Sequence, residues 1–390
     1  MKSIFEKEKE LFLPTYNRIP IEISHGEGVY LIDKTGKKYM DFFSGLAVNA
    51  LGYAHPKIVK AVSEQISKYA HLSNNYITDI QVEFTEKLLK YSKMSKAFLT
   101  NSGTEAIEGT LKLIRLKVGP EKKIFSLTNS FHGRTYGAMT LTAREKYKKG
   151  FEPLLPNIFH INHNDIEDLQ DKINEETGAV ILEFIQGEGG INEASEGFLK
   201  KLIELKEKYG FILVADAIQD GIGRSGKAFV HEYFNIKPDI IVAAKAIGGG
   251  LPLGAFLTTD EFTDVFHVGQ HGTTYGGNPV CCAAGKVVLE EVFENGLIEK
   301  VNELGAYFKN ELMFLQKQFP DKIKEVRGRG FILGVELHTE GAIYVKQFRT
   351  AGILANCTNL KVIRILPPLT SNKENIDFFL NTFKMILESN

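Results

Sequence analysis

The run Pro238-Asp-Ile-Ile-Val-Ala-Ala-Lys-Ala-Ile-Gly-Gly-Gly250 decides how this chain is read. Ile240–Ala244 is uninterrupted and apolar, the pattern of a short strand buried on both faces. Lys245 closes it, just before three glycines. A lysine closing a strand is ordinarily a solvated surface residue. A second run upstream changes that reading: Gly210-Phe-Ile-Leu-Val-Ala-Asp-Ala-Ile-Gln-Asp-Gly-Ile-Gly-Arg-Ser-Gly-Lys227. Phe211–Ala215 is another buried-strand candidate, and Asp216 stands at its C-terminal end. Open α/β sheets bind ligands outside the carboxyl ends of their strands. An acid and an amine are therefore offered at one sheet edge. Burial and neighbouring charge lower a lysine's pKa and free its nucleophilic amine. A carboxylate beneath a pyridine nitrogen keeps that nitrogen protonated, so Asp216 and Lys245 together suit Schiff-base chemistry on a pyridine ring.

Outward from these two runs, short apolar stretches alternate with helical patterns. Ala97–Thr100, Ile124–Leu127 and Ala179–Ile185 read as further strands, and Glu105–Val118 and Gly197–Lys208 as helices. That alternation predicts an α/β fold, a large mostly parallel sheet with helices on both faces and right-handed crossovers. Three regions are expected: an N-terminal segment over 1–50 packing with the small domain, a large cofactor-binding domain over 51–285, and a small α+β domain over 286–390. The first carries a hairpin, Gly28–Ile32 and Lys38–Met40 about an Asp33-Lys-Thr-Gly36 turn. In the last, Gly328–Leu337 and Val362–Leu366 read as strands.

The 390 residues carry a net charge of −1, so no global field draws the chain to nucleic acid or membrane. No run approaches a membrane span. Three cysteines (Cys281, Cys282 and Cys357) fit a reducing compartment rather than a disulfide scaffold. The first ten residues are charged and acid-rich, with no apolar leader core. The expected location is cytoplasmic.

Other motifs follow the predicted strands. Asn101-Ser-Gly-Thr-Glu-Ala-Ile-Glu108 opens a helix. Gly103 admits close backbone approach, and Ser102 and Thr104 add hydroxyls to a helix N-terminus, an anion cradle as well as an ordinary cap. Ser130-Phe-His-Gly-Arg-Thr135 offers Phe131, whose ring can stack on a pyridine face, and Arg134. Leu182–Gly190 offers Glu183 and Glu188 as site acids. His271-Gly-Thr-Thr-Tyr-Gly-Gly-Asn-Pro279 suits phosphate without the Walker form. Arg364 lies inside an apolar strand, where a buried guanidinium needs an anionic partner, most naturally a carboxylate. No metal site is expected: His160 and His163 are assigned to a polar surface loop, and His231-Glu-Tyr-Phe-Asn235 lacks a second histidine at the required spacing.

Asp216, Gln219, the Gly221–Lys227 tail and Lys245 together resemble the class III aminotransferases of pyridoxal-phosphate fold type I, the aspartate aminotransferase-like fold, over about Thr15 to Leu369. Within that family the acetylornithine aminotransferases are most similar. The resemblance implies pyridoxal 5'-phosphate as cofactor. It implies Lys245 as Schiff-base lysine and acid–base group, Asp216 at the pyridine nitrogen, and Ser102, Gly103, Thr104, Phe131, His132, Gln219, Thr273 and Thr274 around the cofactor. Thr274 would reach the phosphate of a neighbouring subunit, which implies a homodimer with shared sites.

For substrate the resemblance implies Tyr16, Gly45, Arg134, Glu183, Glu188 and Arg364. Arg134 would hold the carboxylate far from the reacting carbon, and Arg364 the α-carboxylate of glutamate. Glu188 would pair with Arg364 when no such carboxylate is present. Ornithine aminotransferases carry a bulky tyrosine where this chain has Gly45, whose space would admit an acyl group. The implied reaction is transfer from N-acetylornithine to the 2-oxo acid 2-oxoglutarate, giving N-acetylglutamate semialdehyde and glutamate, a step of arginine biosynthesis. Ornithine, succinylornithine and 4-aminobutyrate are alternative donors, and a non-catalytic binding protein on the same fold is the alternative of another class. The chain departs from the family at Ala217, where Glu is usual, Asp220, where Thr is usual, Phe184, where Pro is common, and Tyr53, where His is common. These put the tuning of the pyridine nitrogen, and the rate, in question.

Overall fold

The computed structural model describes residues 2–389. Its centre is a seven-stranded sheet in the order Lys96–Thr100, Gly254–Thr258, Ile240–Ala243, Ile212–Asp216, Thr177–Leu182, Lys123–Leu127, Ile158–Ile161. All of these run parallel except Gly254–Thr258, which is antiparallel to both neighbours. The α/β class and the mostly parallel sheet are as the sequence indicated. Two strands were not anticipated. Gly254–Thr258 follows closely on the glycine-rich turn, and Ile158–Ile161 is a short edge strand of four residues interrupted by His160.

Alternate residues of the central strands face opposite sides, so the sheet separates two cores. Val180, Leu182, Leu213, Ala215 and Ile241 join the larger core, which extends to the C-terminal elements. Ala179, Ile181, Ile212, Val214 and Ile240 pack instead with Ile107, Leu111 and Ile114 of the helix Gly103–Val118. Side chains buried on both faces explain why these strands read as unbroken apolar runs.

Two four-stranded sheets and a two-stranded pair, Ile185–Gln186 with Asn192–Glu193, complete the sheets among the described residues. Ile23–Glu27, Tyr30–Asp33 and Lys38–Asp41 form a meander, and the distant Ile353–Leu354 adds to it in parallel beside Lys38–Asp41. The other four-stranded sheet pairs Ile323–Arg329, Ile332–Leu337, Val362–Ile365 and Asn356–Thr358. The expected single strand 328–337 is thus the end of one strand, the turn and the second strand of a hairpin. The chain reverses at Gly330, whose φ is +53° and where a Cβ would lie 2.5 Å from the Ser225 backbone. Val362–Ile365 is buried along its length, and this puts Arg364 inside the protein.

Candidate active site

Asp216 pairs in parallel register with Val242, so Lys245 lies just beyond the same edge of the sheet. The ends of Lys123–Leu127, Thr177–Leu182 and Lys96–Thr100 reach that edge too, because the single reversed strand leaves its neighbours parallel. The loops leaving these five strands carry the candidate residues. Lys245 adopts φ +50°, a left-handed conformation costly for a residue with a Cβ and typical of functional positions. Burial, reinforced by the charge of Arg364, lowers its pKa against the opposing pull of Asp216, Glu188 and Glu183. Both effects shift the side chain toward its neutral amine.

Asp216 is buried, and His132 Nδ1 donates to its Oδ2 at 2.6 Å, while Ile218 N donates to its Oδ1 at 3.2 Å. Burial opposes charge on His132, but the Asp216 hydrogen bond and charge, aided by Glu183, outweigh it and raise the imidazole pKa. His132 Nε2 is buried without a partner. Glu183 accepts from Phe131 N at 3.0 Å and Gly187 N at 3.2 Å. Burial pushes its carboxyl up to about 7, with His132 opposing and Asp216 adding to the rise. Asp220, where the family usually has Thr, accepts from Ile185 N at 3.2 Å. Burial holds it well above the carboxylate range, and Asp216 and Glu183 repel its charged form further. The relocated acid is thus shifted toward its neutral form. Ala217 is buried in the larger core.

Arg364 is fully buried on its strand. Its Nη1 donates to Glu188 Oε1 at 2.7 Å and to Gln219 Oε1 at 3.1 Å, and its Nε to Asn356 Oδ1 at 3.0 Å. Its guanidinium also lies 5.9 Å from the centroid of the Phe43 ring. Burial works against the Glu188 carboxylate, yet the Arg364 charge and hydrogen bond bring its pKa below the usual value. The Glu188 main-chain oxygen is gripped as well, by Arg144 Nη2 at 2.5 Å and Thr358 Oγ1 at 2.6 Å. Gln219 fills the space over Gly187, where a Cβ would meet its Oε1 at 2.0 Å.

The phosphate-side candidates stand at a helix N-terminus. Ser102 caps the helix Gly103–Val118, its Oγ accepting from Glu105 N at 3.3 Å. Thr104 Oγ1 lies 2.8 Å from Thr135 Oγ1, and Ile218 packs so closely on Gly103 that a Cβ there would fall 2.5 Å from it. Asn101 Nδ2 donates to Thr273 Oγ1 at 3.4 Å, which ties the 271–279 loop to this turn. Thr274 is exposed and lines a cavity of about 1250 Å³ with His71, Asn74 and Gln81.

The substrate candidates are placed less uniformly. Gly45 belongs to a left-handed turn, Ser44 to Ala47, with φ between +50° and +67°. Non-glycine residues pay strain there. Asp41 holds the turn by accepting from Phe43 N at 2.9 Å and Ser44 N at 3.1 Å, and Ser44 Oγ ties it to the Leu366 carbonyl at 2.7 Å. Tyr53, where the family commonly has His, donates its hydroxyl to the same Asp41 at 2.5 Å. Arg134 is exposed, its guanidinium 3.8 Å from the Tyr147 ring centroid and 5.6 Å from that of Phe131. Tyr16 is 77% exposed and touches Arg18 rather than any residue of the site.

Sequence reasoning missed Arg144, Tyr147, Asn356 and Thr358. They lie on polar segments that carry no periodic signal. It also misplaced His160, while His163 does lie in the turn that follows. His160 belongs to the Ile158–Ile161 strand, not a surface loop, and is hydrogen-bonded to Ser126 at 2.8 Å and Lys148 at 2.7 Å. Burial pushes both His160 and His163 down to about 4.

A partly buried amine of lowered pKa, a carboxylate fixed by a histidine, an aromatic ring and a helix N-terminus with hydroxyls form a donor set suited to a phosphorylated pyridine aldehyde. Residues 12–387 match the family profile "Aminotransferase class-III". The acetylornithine aminotransferase of Aquifex aeolicus is 46% identical over 377 residues, 95% of this chain and 98% of that protein. That of Methanocaldococcus jannaschii is 41% identical over 96% of this chain and 95% of that protein. Among solved structures, the acetylornithine aminotransferase of Elizabethkingia anophelis superposes with a TM-score of 0.89 at 32% identity, covering 99% of this chain and 98% of that one. The ornithine aminotransferase of Toxoplasma gondii superposes with a TM-score of 0.95 at 27% identity, covering 100% and 97%. With its sheet edge, its lysine and buried acid, and a match over nearly its whole length, the chain belongs to the class III aminotransferases.

Proposed function

We propose that this protein is an acetylornithine aminotransferase, moving the δ-amino group of N-acetylornithine to 2-oxoglutarate in arginine biosynthesis. Relatives of that name align over nearly the full chain at 39–46% identity. Pyridoxal 5'-phosphate, the cofactor of the class, supplies when bound an electrophilic carbon for the amine and a ring that takes up electrons. Lys245 and Asp216 would hold it by its aldehyde and ring-nitrogen ends, Phe131 would face the ring, and Ser102, Gly103 and Thr104 would receive the phosphate. His132 orients the Asp216 carboxylate through the 2.6 Å hydrogen bond to its Oδ2. Lys245 Nζ, its pKa lowered, takes the proton from the donor's δ-carbon.

The observation that carries the substrate reading is the 2.7 Å ion pair between Glu188 and Arg364. Acetylornithine brings no carboxylate to Arg364, and a buried guanidinium left alone would cost several kcal/mol. Glu188 fills that need and yields to the α-carboxylate of glutamate. Arg134 holds the remaining carboxylate of either substrate. Gly45, on the turn beside Phe43 and Arg364, leaves room for the acetyl group.

The reading includes a homodimer in which Thr274 serves the partner's phosphate. Its support is the exposed position of Thr274 and the exposed apolar residues Ile77, Val268 and Tyr275. A cytoplasmic location is part of it, in keeping with three unpaired cysteines. No helix among the described residues is long and apolar enough to cross a membrane. The test is a steady-state comparison of acetylornithine, succinylornithine, ornithine and 4-aminobutyrate as donors to 2-oxoglutarate. Acetylornithine should give the highest kcat/KM, and preference for ornithine or 4-aminobutyrate would overturn the assignment. Sedimentation showing an active monomer at all concentrations would overturn the shared site.

A further inference from the structure

The segment Ala143–Gly150 touches Phe131, Arg134 and the Glu188 carbonyl, and no motif assigns it a role. Its middle is a 3-10 turn, Glu145–Tyr147. Lys148, at its end, is buried, and its Nζ meets His160 Nε2 at 2.7 Å. His160 Nδ1 in turn meets Ser126 Oγ at 2.8 Å, and Ser126 donates to the Leu141 carbonyl at 2.6 Å. This buried chain fastens the turn to the Lys123–Leu127 and Ile158–Ile161 strands. At the other end Arg144 holds the Glu188 carbonyl. Tyr147, between these anchors, is half-buried and has little freedom.

The Tyr147 ring touches two residues of the site. It meets Phe131 edge to face, with ring centroids 5.8 Å apart. The Arg134 guanidinium lies 3.8 Å from its centroid, closer than to Phe131. Lys146 Nζ is 4.7 Å from the same centroid, so the ring is a cation platform. A guanidinium resting on an aromatic face keeps its in-plane N–H groups free. Those groups form a fork that matches a carboxylate. An exposed arginine without such support would lose rotamer freedom on binding substrate.

We propose that Tyr147 is a positioning residue for substrate recognition: its ring pre-sets Arg134 to grip the carboxylate remote from the reacting carbon. This rests on the assignment of Arg134 made above. Phe131 and Arg134 share one support, so the ring face and the carboxylate fork keep a fixed spacing. The spacing between reacting amine and remote carboxylate is what separates a five-carbon donor from shorter or longer ones.

The test uses the holoenzyme and N-acetylnorvaline, which has the carboxylate and acetyl group of acetylornithine but no δ-amine. Its Kd is measured by calorimetry for the wild type, Arg134→Ala, Tyr147→Leu and Tyr147→Phe. Loss of a partly exposed cation–π support should weaken binding roughly two- to tenfold in Tyr147→Leu, and Tyr147→Phe should keep the affinity within about twofold. KM for acetylornithine should follow the same order, with kcat little changed. If Tyr147→Leu does not fold, Tyr147→Met carries the comparison. Weakened binding in Arg134→Ala with unchanged binding in Tyr147→Leu overturns the role of Tyr147 alone. Unchanged binding in Arg134→Ala overturns the assignment of Arg134 and this inference with it. An equal loss in the Phe and Leu variants would make the hydroxyl the active feature and overturn the stacking account.

Discussion

Replacing Glu188 with glutamine removes the only carboxylate hydrogen-bonded to Arg364 among the described residues and keeps the side-chain volume. The arginine side chain is 1% exposed and the glutamate 23%. Fully buried pairs lose about 3–5 kcal/mol when one partner is removed, and exposed pairs about 0.2–1 kcal/mol. A half-screened pair at 2.7 Å lies between, at about 1.5–3 kcal/mol. Gln219 and Asn356 remain as neutral acceptors and blunt the loss. The sign differs between the half-reactions. Glutamate must break the Glu188–Arg364 pair to place its α-carboxylate, so the variant relieves it of that cost. Acetylornithine binds with the pair intact and gains nothing; the freed Arg364 can also draw its carboxylate away from Arg134. The ratio of kcat/KM for acetylornithine to that for glutamate should therefore fall about 10- to 100-fold, at about 1.4 kcal/mol per tenfold. Single-turnover measurements of each half-reaction on Glu188→Gln decide the matter. Equal losses in both, or an unchanged ratio, would refute the gating argument whatever the overall activity.

Lys245→Ala should yield a protein without the visible absorption band of the holoenzyme and without turnover; an active or still yellow variant would displace Lys245 from its role. Gly45→Tyr should lower kcat/KM for acetylornithine by about one to two orders of magnitude and for ornithine by less, because overpacking costs about 1–3 kcal/mol. Gly45→Ala is its control, since the backbone there has φ +59° and a Cβ would meet only Asn49 Nδ2 closely, at 2.9 Å. If both donors fall alike in the tyrosine variant, Gly45 does not set specificity. Glu183 should leave a mark on the pH dependence of stability. Its folded pKa, about 7, exceeds the ordinary 4.5, so between these values the folded state binds more protons than the unfolded. Stability should therefore fall as pH rises across that window. Tm measured from pH 4.5 to 8 in wild type and Glu183→Gln should show a steeper decline in the wild type over the same window, and parallel curves would remove Glu183 from this account.

Much of the site was legible because its chemistry sits at the ends of apolar runs. Phe211–Ala215 and Ile240–Ala244 could only be buried strands, and a polar residue closing such a run must reach the sheet edge. Asp216 and Lys245 stood out as candidates by their places at the ends of these runs and took their roles from the family resemblance, while the helix cap at Ser102 and the burial of Arg364 within Val362–Ile365 followed from local pattern. The departure at Asp220 was visible in the sequence too, but the rise of its pKa is a consequence of burial beside Asp216 and Glu183.

The sequence by itself therefore determined the layered α/β architecture, the lysine–acid pair and the family, since each depends on periodicity and on residues close along the chain. Tertiary structure alone decided the rest. Glu188 and Arg364 are 176 residues apart, and only the packing of the Val362–Ile365 sheet against the Leu182–Gly190 loop makes them partners. Gly254–Thr258 takes its antiparallel place because it fills the gap between Lys96–Thr100 and Ile240–Ala243, an arrangement set by sheet pairing. His160 belongs to the core edge because a strand forms there, and Tyr147 supports Arg134 because a buried Lys148–His160–Ser126 chain fixes its turn. Pairing across a sheet and stacking between loops depend on which distant surfaces are buried together, and no local pattern encodes that.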